Sequence, residues 1–168
     1  LKSIVVHPIL DGVDSAEGTA PALLAELTQA LHHMPGVSMG VVMGRRPFCD
    51  RSGNLALARA FAAALTDGRD LAEFTSAALE AHYPKAEADF PAHLYPAGRV
   101  VAAGEPVLLT SHRADRAIQA ARVLAESQPL FALIELDGAV GQDRAFFPSH
   151  PLDAGLAFEF KAHGLSSV

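Results

Sequence analysis

The sequence predicts an α/β fold: a single globular domain over residues 1–168, layered around a mixed, partly parallel sheet of roughly five to seven strands with about four helices. Two observations carry that expectation. Short apolar runs, Ser3 to His7, Val37 to Met43, Pro106 to Ser111 and Leu130 to Leu136, are separated by longer stretches whose leucines and alanines recur at helical spacing. The run from Pro106 to Leu136 also reads strand, helix, strand, which is a βαβ unit.

Ser3 to His7 is β-branched and closes at Pro8, giving a strand that leads into the polar loop Asp11 to Gly18. Thr19 is placed to cap a helix with Pro21 in its first turn, and Leu23, Leu24, Leu27 and Leu31 form its stripe until Pro35-Gly36. Val37 to Met43, with Gly40 inside it, reads as a buried strand beside the first. Leu57, Phe61 and Leu65 then fall at i, i+4 and i+8 among alanines, and Asp67-Gly68 ends that helix. Asp70 is the expected cap of a third helix with Leu71, Phe74, Ala78 and Leu79 as its stripe, stopping at Tyr83-Pro84.

Lys85 to Gly104 contains Pro91 and Pro96 and is expected to be irregular, with one short strand at Val100-Val101. Pro106 to Ser111 gives a strand, Arg113 to Ser127 a helix with Ile118, Ala121 and Leu124 inward, and Leu130 to Leu136 a continuous apolar strand. Asp137-Gly138 and Gly141 mark turns before two further strands, Arg144 to Phe147 and Leu156 to Lys161, expected to be antiparallel.

The formal charge of −6 and a pI near 5.7 give no basic field that would draw nucleic acid. Lysine is confined to Lys2, Lys85 and Lys161, so most positive charge is arginine, and several arginines fall where strands should end. A locally basic pocket in an acidic chain selects small anions. The single cysteine excludes an internal disulfide and fits a reducing compartment. The N-terminal apolar run is too short for a signal peptide or membrane span, and a cytoplasmic protein without a membrane partner is expected. Half the residues are hydrophobic and mean hydropathy is +0.21, values that favour a homo-oligomer.

Ligands of open α/β sheets bind outside the carboxyl ends of the strands. Three such ends carry chemistry here. The first presents His7 with Asp11 and Asp14, the second Arg45, Arg46, Cys49 and Asp50, and the third Ser111, His112 and Arg113. If the strands are parallel neighbours, the three sets meet on one rim. Arg45, Arg46, Arg113 and Ser111 are then the residues that bind a carboxylate or phosphate. His7 or His112 would transfer a proton, with Asp11 as an orienting partner of His7. Cys49 becomes a nucleophile only if it is exposed, where a helix N-terminus and guanidinium groups would lower its pKa; five residues, ending at Asn54, follow it and the next is Leu55, so a phosphatase-type Cys-x5-Arg loop is absent.

No metal and no cofactor are expected. His32-His33 are adjacent and point apart on a helix, His82 and His93 lie in or beside the irregular segment, and only His112 and Asp115 have a spacing one helix face could use. Gly-x-Gly-x-x-Gly after a strand, a Walker sequence and a Gly-x-Ser-x-Gly elbow are all missing. The expectation is a small-molecule enzyme, of hydrolase or lyase type, that acts on an anionic metabolite by histidine acid/base chemistry. The rival is a non-catalytic ligand-sensing or assembly subunit working through an apolar surface that includes Phe146-Phe147 and Phe158-Phe160. A cleft joining Arg45 and Arg113 to His7 favours the first; an exposed aromatic patch with those arginines far apart favours the second.

Overall fold

A computed structural model of the chain describes residues 3–83, 86–147 and 163. Its first parallel ladder carries an insertion. Strands β1 (Ile4–Val6) and β2 (Ile9–Leu10) are one extended run broken by Pro8, which has no N–H to donate; β3 (Val37–Met39) and β4 (Val41–Gly44) are their partners, broken at Gly40. Val6 pairs with Met39 and Ile9 with Met43, so the five residues 39–43 oppose the four residues 6–9, which defines a β-bulge. The backbone bonds continue through it, from Gly40 N–H to the Val6 carbonyl (2.8 Å) and from Met43 N–H to the Pro8 carbonyl (3.2 Å). The N–H of Val41 is left over, and the His7 Nδ1 accepts it at 2.9 Å. A Cβ on Gly40 would lie 2.5 Å from the imidazole, so the ring fits only above a glycine.

The single sheet expected from the sequence is instead three sheets built from nine short strands among the described residues. β1 and β3 form one. The second has the order β2-β4-β6-β5, with β5 at Ala72–Glu73 and β6 at His93–Leu94; β4 and β6 are antiparallel and the other pairs parallel. The third is β7 (Val107–Leu109), β8 (Leu130–Ile134) and β9 (Ala145–Phe147), parallel throughout. The bulge and the prolines between the strands keep each ladder short. The antiparallel expectation for Arg144 to Phe147 fails because the chain reverses twice, at the Leu136–Val140 bridge and in a 3-10 turn at Gln142–Arg144, and re-enters beside Ala132 in the original direction. The expected strand Leu156 to Lys161 and residues Phe158-Phe160 lie outside the described residues.

Four α-helices cover these sheets: α1 (Ala20–His32), α2 (Leu55–Thr66), α3 (Ser76–His82) and α4 (Ala114–Ala125). β4 alternates between them, as a period of two demands. Val41 and Met43 face a core with Phe61 and Leu65 of α2, Ala117, Ala121 and Leu124 of α4, and Leu130 of β8; Val42 faces a second core with Leu24, Phe74, Leu79 and Phe90. Alanines let α2 and α4 approach closely, and that contact joins the second sheet to the third.

Two helix starts differ from the sequence expectation. Asp70 caps nothing; Phe74 N–H bonds to the Leu94 carbonyl at 2.7 Å, its ring stacks on Tyr95, and Thr75 caps α3 through Ala78 N–H. The Thr19 hydroxyl turns back to the Ala16 carbonyl, and the buried Glu87 takes its place at the α1 N-terminus by accepting from Ala20 N–H at 3.2 Å. Asn54 does cap α2 through Ala56 N–H. Val100-Val101 forms no strand, and β6 lies at His93–Leu94 instead. The third sheet leaves Leu108, Phe131 and Phe146 exposed on its face. Among the described residues, no helix is long and apolar enough to cross a membrane.

Candidate functional site

Because β2 and β4 run parallel and end level, Asp11 and Arg45 leave the sheet side by side, and Arg45 N–H bonds to the Leu10 carbonyl at 2.9 Å. The Arg45 guanidinium, on a residue only 8% exposed, donates to Asp11 and, at 2.8 Å, to Asp14. Burial alone would lower the arginine's pKa; the Asp14 and Asp11 bonds outweigh it and hold the group firmly charged. The same bond to Arg45 keeps the Asp14 carboxyl below its ordinary value, and at Asp11 it overcomes the opposing effect of burial.

The third strand end reaches this pair through the α2–α4 packing and not through a shared sheet. Arg113, the residue before α4, lies 3.8 Å from Asp14 and 3.4 Å from Asp115, while Arg51 is 3.4 Å and the Arg116 Nε 3.7 Å from Asp115. Four guanidinium groups therefore share three carboxylates. The contacts around Asp115 are too long for good hydrogen bonds. Among the described residues, the buried Arg116 Nε has no hydrogen-bond partner. The Ser111 hydroxyl accepts Arg113 N–H at 3.3 Å and fixes the entry to α4.

Of the residues picked out in the sequence, Asp11, Arg45, Cys49 and Arg113 come together, with Ser111 beside them. Arg46 does not. Consecutive side chains leave a strand end on opposite sides, and Arg46 points away to Asp89, 61% of its side chain exposed. His7 sits back at the bulge, where Arg99 and Glu105 are its charged neighbours. Burial, with Arg99 adding to it and Glu105 opposing, lowers its pKa from 6.5 to about 4, so the ring is a neutral acceptor for Val41. His112 is exposed. The Cys49 thiol is half-buried, and burial pushes it up although Arg45 pulls the other way, the reverse of the lowering expected for an exposed thiol.

Sequence reasoning overlooked Arg116, although its spacing of three from Arg113 at a helix start was a signal that both forks share one face. Arg51 and Asp115 join the cluster as well, and the strand-end rule assigns neither of them a role. Among the described residues, no group of three or more His, Cys, Asp or Glu side chains could hold a metal ion. Arg45 and Arg113 come together at Asp14, while His7 lies apart from them at the bulge, beside Val41, Arg99 and Glu105. Of the aromatic residues in the rival reading, Phe146 and Phe147 are exposed, and Phe158 and Phe160 lie outside the described residues.

Comparison with known proteins gives two findings. A family model described as the BPG-independent PGAM N-terminus matches residues 1–142. Among solved structures, that of Leishmania mexicana phosphoglycerate mutase at low cobalt concentration is similar, with a TM-score of 0.66 and 18% identity, covering 88% of this chain and 32% of that one. At that identity the likeness is one of fold, and the chain spans about a third of the mutase's length. No curated protein matches the chain significantly.

Proposed function

The chain belongs to the BPG-independent PGAM N-terminus family, and from that membership we propose that its strand-end arginines hold a small phosphorylated acid of the phosphoglycerate type for a mutase reaction. The observation that supports this reading is the unbalanced cluster: four guanidinium groups around three carboxylates, with the buried Arg116 Nε lacking a hydrogen-bond partner among the described residues. A phosphate oxygen accepts from two arms of one guanidinium, and Arg113 and Arg116 present two such forks at the positive end of α4. A phosphate near neutral pH carries close to two negative charges, which would complete the pairing that Asp115 alone leaves open.

This reading departs from the hydrolase or lyase class expected from the sequence, since the solved neighbour is a mutase. It also departs from histidine acid/base chemistry. His7 is neutral and bonded to Val41, and the Cys49 thiol is held protonated, so the described residues bind and orient. Groups that make and break the phosphoryl bond would come from beyond them, as the threefold greater length of the neighbour allows.

Isothermal titration with inorganic phosphate and with 3-phosphoglycerate tests the reading. Arg113→Ala and Arg116→Ala should each weaken binding by about 10- to 100-fold, the worth of one charge-assisted hydrogen bond. Arg69→Ala, remote on the surface, should leave it unchanged. Phosphate affinity that survives both site substitutions overturns the proposal.

A further inference from the structure

We infer that Glu87 is a positioning residue for the anion site, acting through the acidic loop 11–18 and the N-terminus of α1; the inference rests on the proposed function. Glu87 belongs to the 3-10 turn Glu87–Asp89, and it is 1% exposed, an unusual place for a carboxylate. One oxygen, Oε1, accepts from Gly18 N–H at 2.8 Å, from Ala20 N–H at 3.2 Å and from the Tyr83 hydroxyl. The two amides lie at the far end of the loop that begins with Asp11, so the carboxylate ties that loop down across nearly seventy residues of sequence.

The near end of the loop rests on the same side chain. Gly12 has φ +58°, a conformation L side chains rarely adopt, and a Cβ there would lie 2.8 Å from the Glu87 Cβ. Glu87 thus meets the loop at both ends, by close packing at Gly12, beside Asp11 and Asp14, and by hydrogen bonds at Gly18 and Ala20. The turn also fixes the opposite wall. Gly44 N–H bonds to the Phe90 carbonyl at 2.8 Å and Arg46 N–H to the Ala88 carbonyl at 3.0 Å, which brackets Arg45. One turn therefore sets the separation between Arg45 and the carboxylates that aim it, although Glu87 touches neither.

Removing the side chain frees the loop while leaving every arginine in place. Glu87→Ala should then weaken phosphate binding about tenfold, because the freed Asp11 and Asp14 can leave Arg45 and compete for the Arg113 fork. Glu87→Gln retains an oxygen that can accept both amides, and binding should stay within about threefold of the wild type. Val140→Ala, a buried substitution in the other core, serves as a control for general destabilisation and should not change the affinity. All are titrated with inorganic phosphate well below their unfolding temperatures; if Glu87→Ala does not fold, Glu87→Asp, whose carboxylate is a methylene shorter and cannot span both amides, takes its place. Hydrogen exchange of the wild type should find the Gly18 and Ala20 amides protected.

Wild-type affinity in Glu87→Ala, an equal loss in Val140→Ala, or unprotected amides at both positions overturns the inference alone. A wild-type chain that binds no phosphate overturns the proposed function and this inference with it.

Discussion

Replacing His7 by Gln isolates what the bulge owes to a neutral imidazole. The glutamine amide oxygen can accept from the Val41 N–H, as Nδ1 does, but it cannot be protonated. In the folded chain, burial and then Arg99 hold His7 at about 4, against 6.5 when unfolded. Between those values the unfolded chain binds a proton that the folded chain refuses. Stability from this group is therefore complete above pH 6.5 and is lost as pH falls to about 4. The gap, at about 1.4 kcal/mol per pH unit, amounts to about 3 kcal/mol, of which about 2 to 3 kcal/mol should be gone by pH 4.5. Urea denaturation from pH 7 to 4.5 measures it as the difference between wild type and His7→Gln. Carboxylates such as Glu105, held down to about 2 first by Arg99, titrate lower and cancel in that difference. Parallel stability profiles for the two proteins would refute the reasoning, as would a native imidazole titrating near 6.5 by NMR.

Two further outcomes follow from the site. Arg45→Ala should cost about 2 to 4 kcal/mol, because it leaves Asp11 and Asp14 facing each other with a buried space beneath them, whereas Arg46→Ala should cost less than about 1 kcal/mol; thermal or chemical denaturation compares them, and equal costs would contradict the burial argument. Cys49 should react with a maleimide near neutral pH more slowly than a free thiol, and Cys49→Ser should keep its phosphate affinity; rapid labelling would show that the thiol is not held up by burial.

The α/β class, four helices and the βαβ unit were legible because they rest on periodicity, which each segment carries by itself. Leu57, Phe61 and Leu65 repeat at helical spacing whatever surrounds them, and only Leu57 fails to be fully buried. What depended on distant partners was not legible. Leu71 and Phe74 fit a helical stripe as well as an edge strand, and the decision lay with Leu94 and Tyr95, some twenty residues away. Thr19 has a good capping side chain and still yields to Glu87, since a buried carboxylate makes a stronger acceptor for Ala20 N–H than a hydroxyl with a carbonyl close at hand. The division into three sheets is of the same kind: a bulge is a relation between two strands, and Gly40 within Val37 to Met43 fits a continuous strand as well as a broken one.

For the candidate site, the clustering of some charged residues was legible and which of them are free to pair was not. The rule that strand ends gather ligands named Asp11, Arg45 and Arg113, and the structure sets them around Asp14. The same rule cannot say which arginines are already spoken for. Arg46 lies against Asp89 through two nitrogens, Arg69 against Asp67 in the same manner, and Arg99 grips both oxygens of Glu105 at 2.6 and 2.7 Å. Each of those pairs closes on itself and has no further use for an anion. Around Asp115, three guanidinium groups stand at 3.4 to 3.7 Å from one carboxylate, and one of their nitrogens has no acceptor among the described residues. The distinction between a structural ion pair and a receptive one is thus a matter of geometry closed or left open. By that measure the proposed phosphate would depend most on the α4 N-terminus, with Arg113 and Arg116, and the buried Arg45 would keep its acidic neighbours from claiming those forks instead.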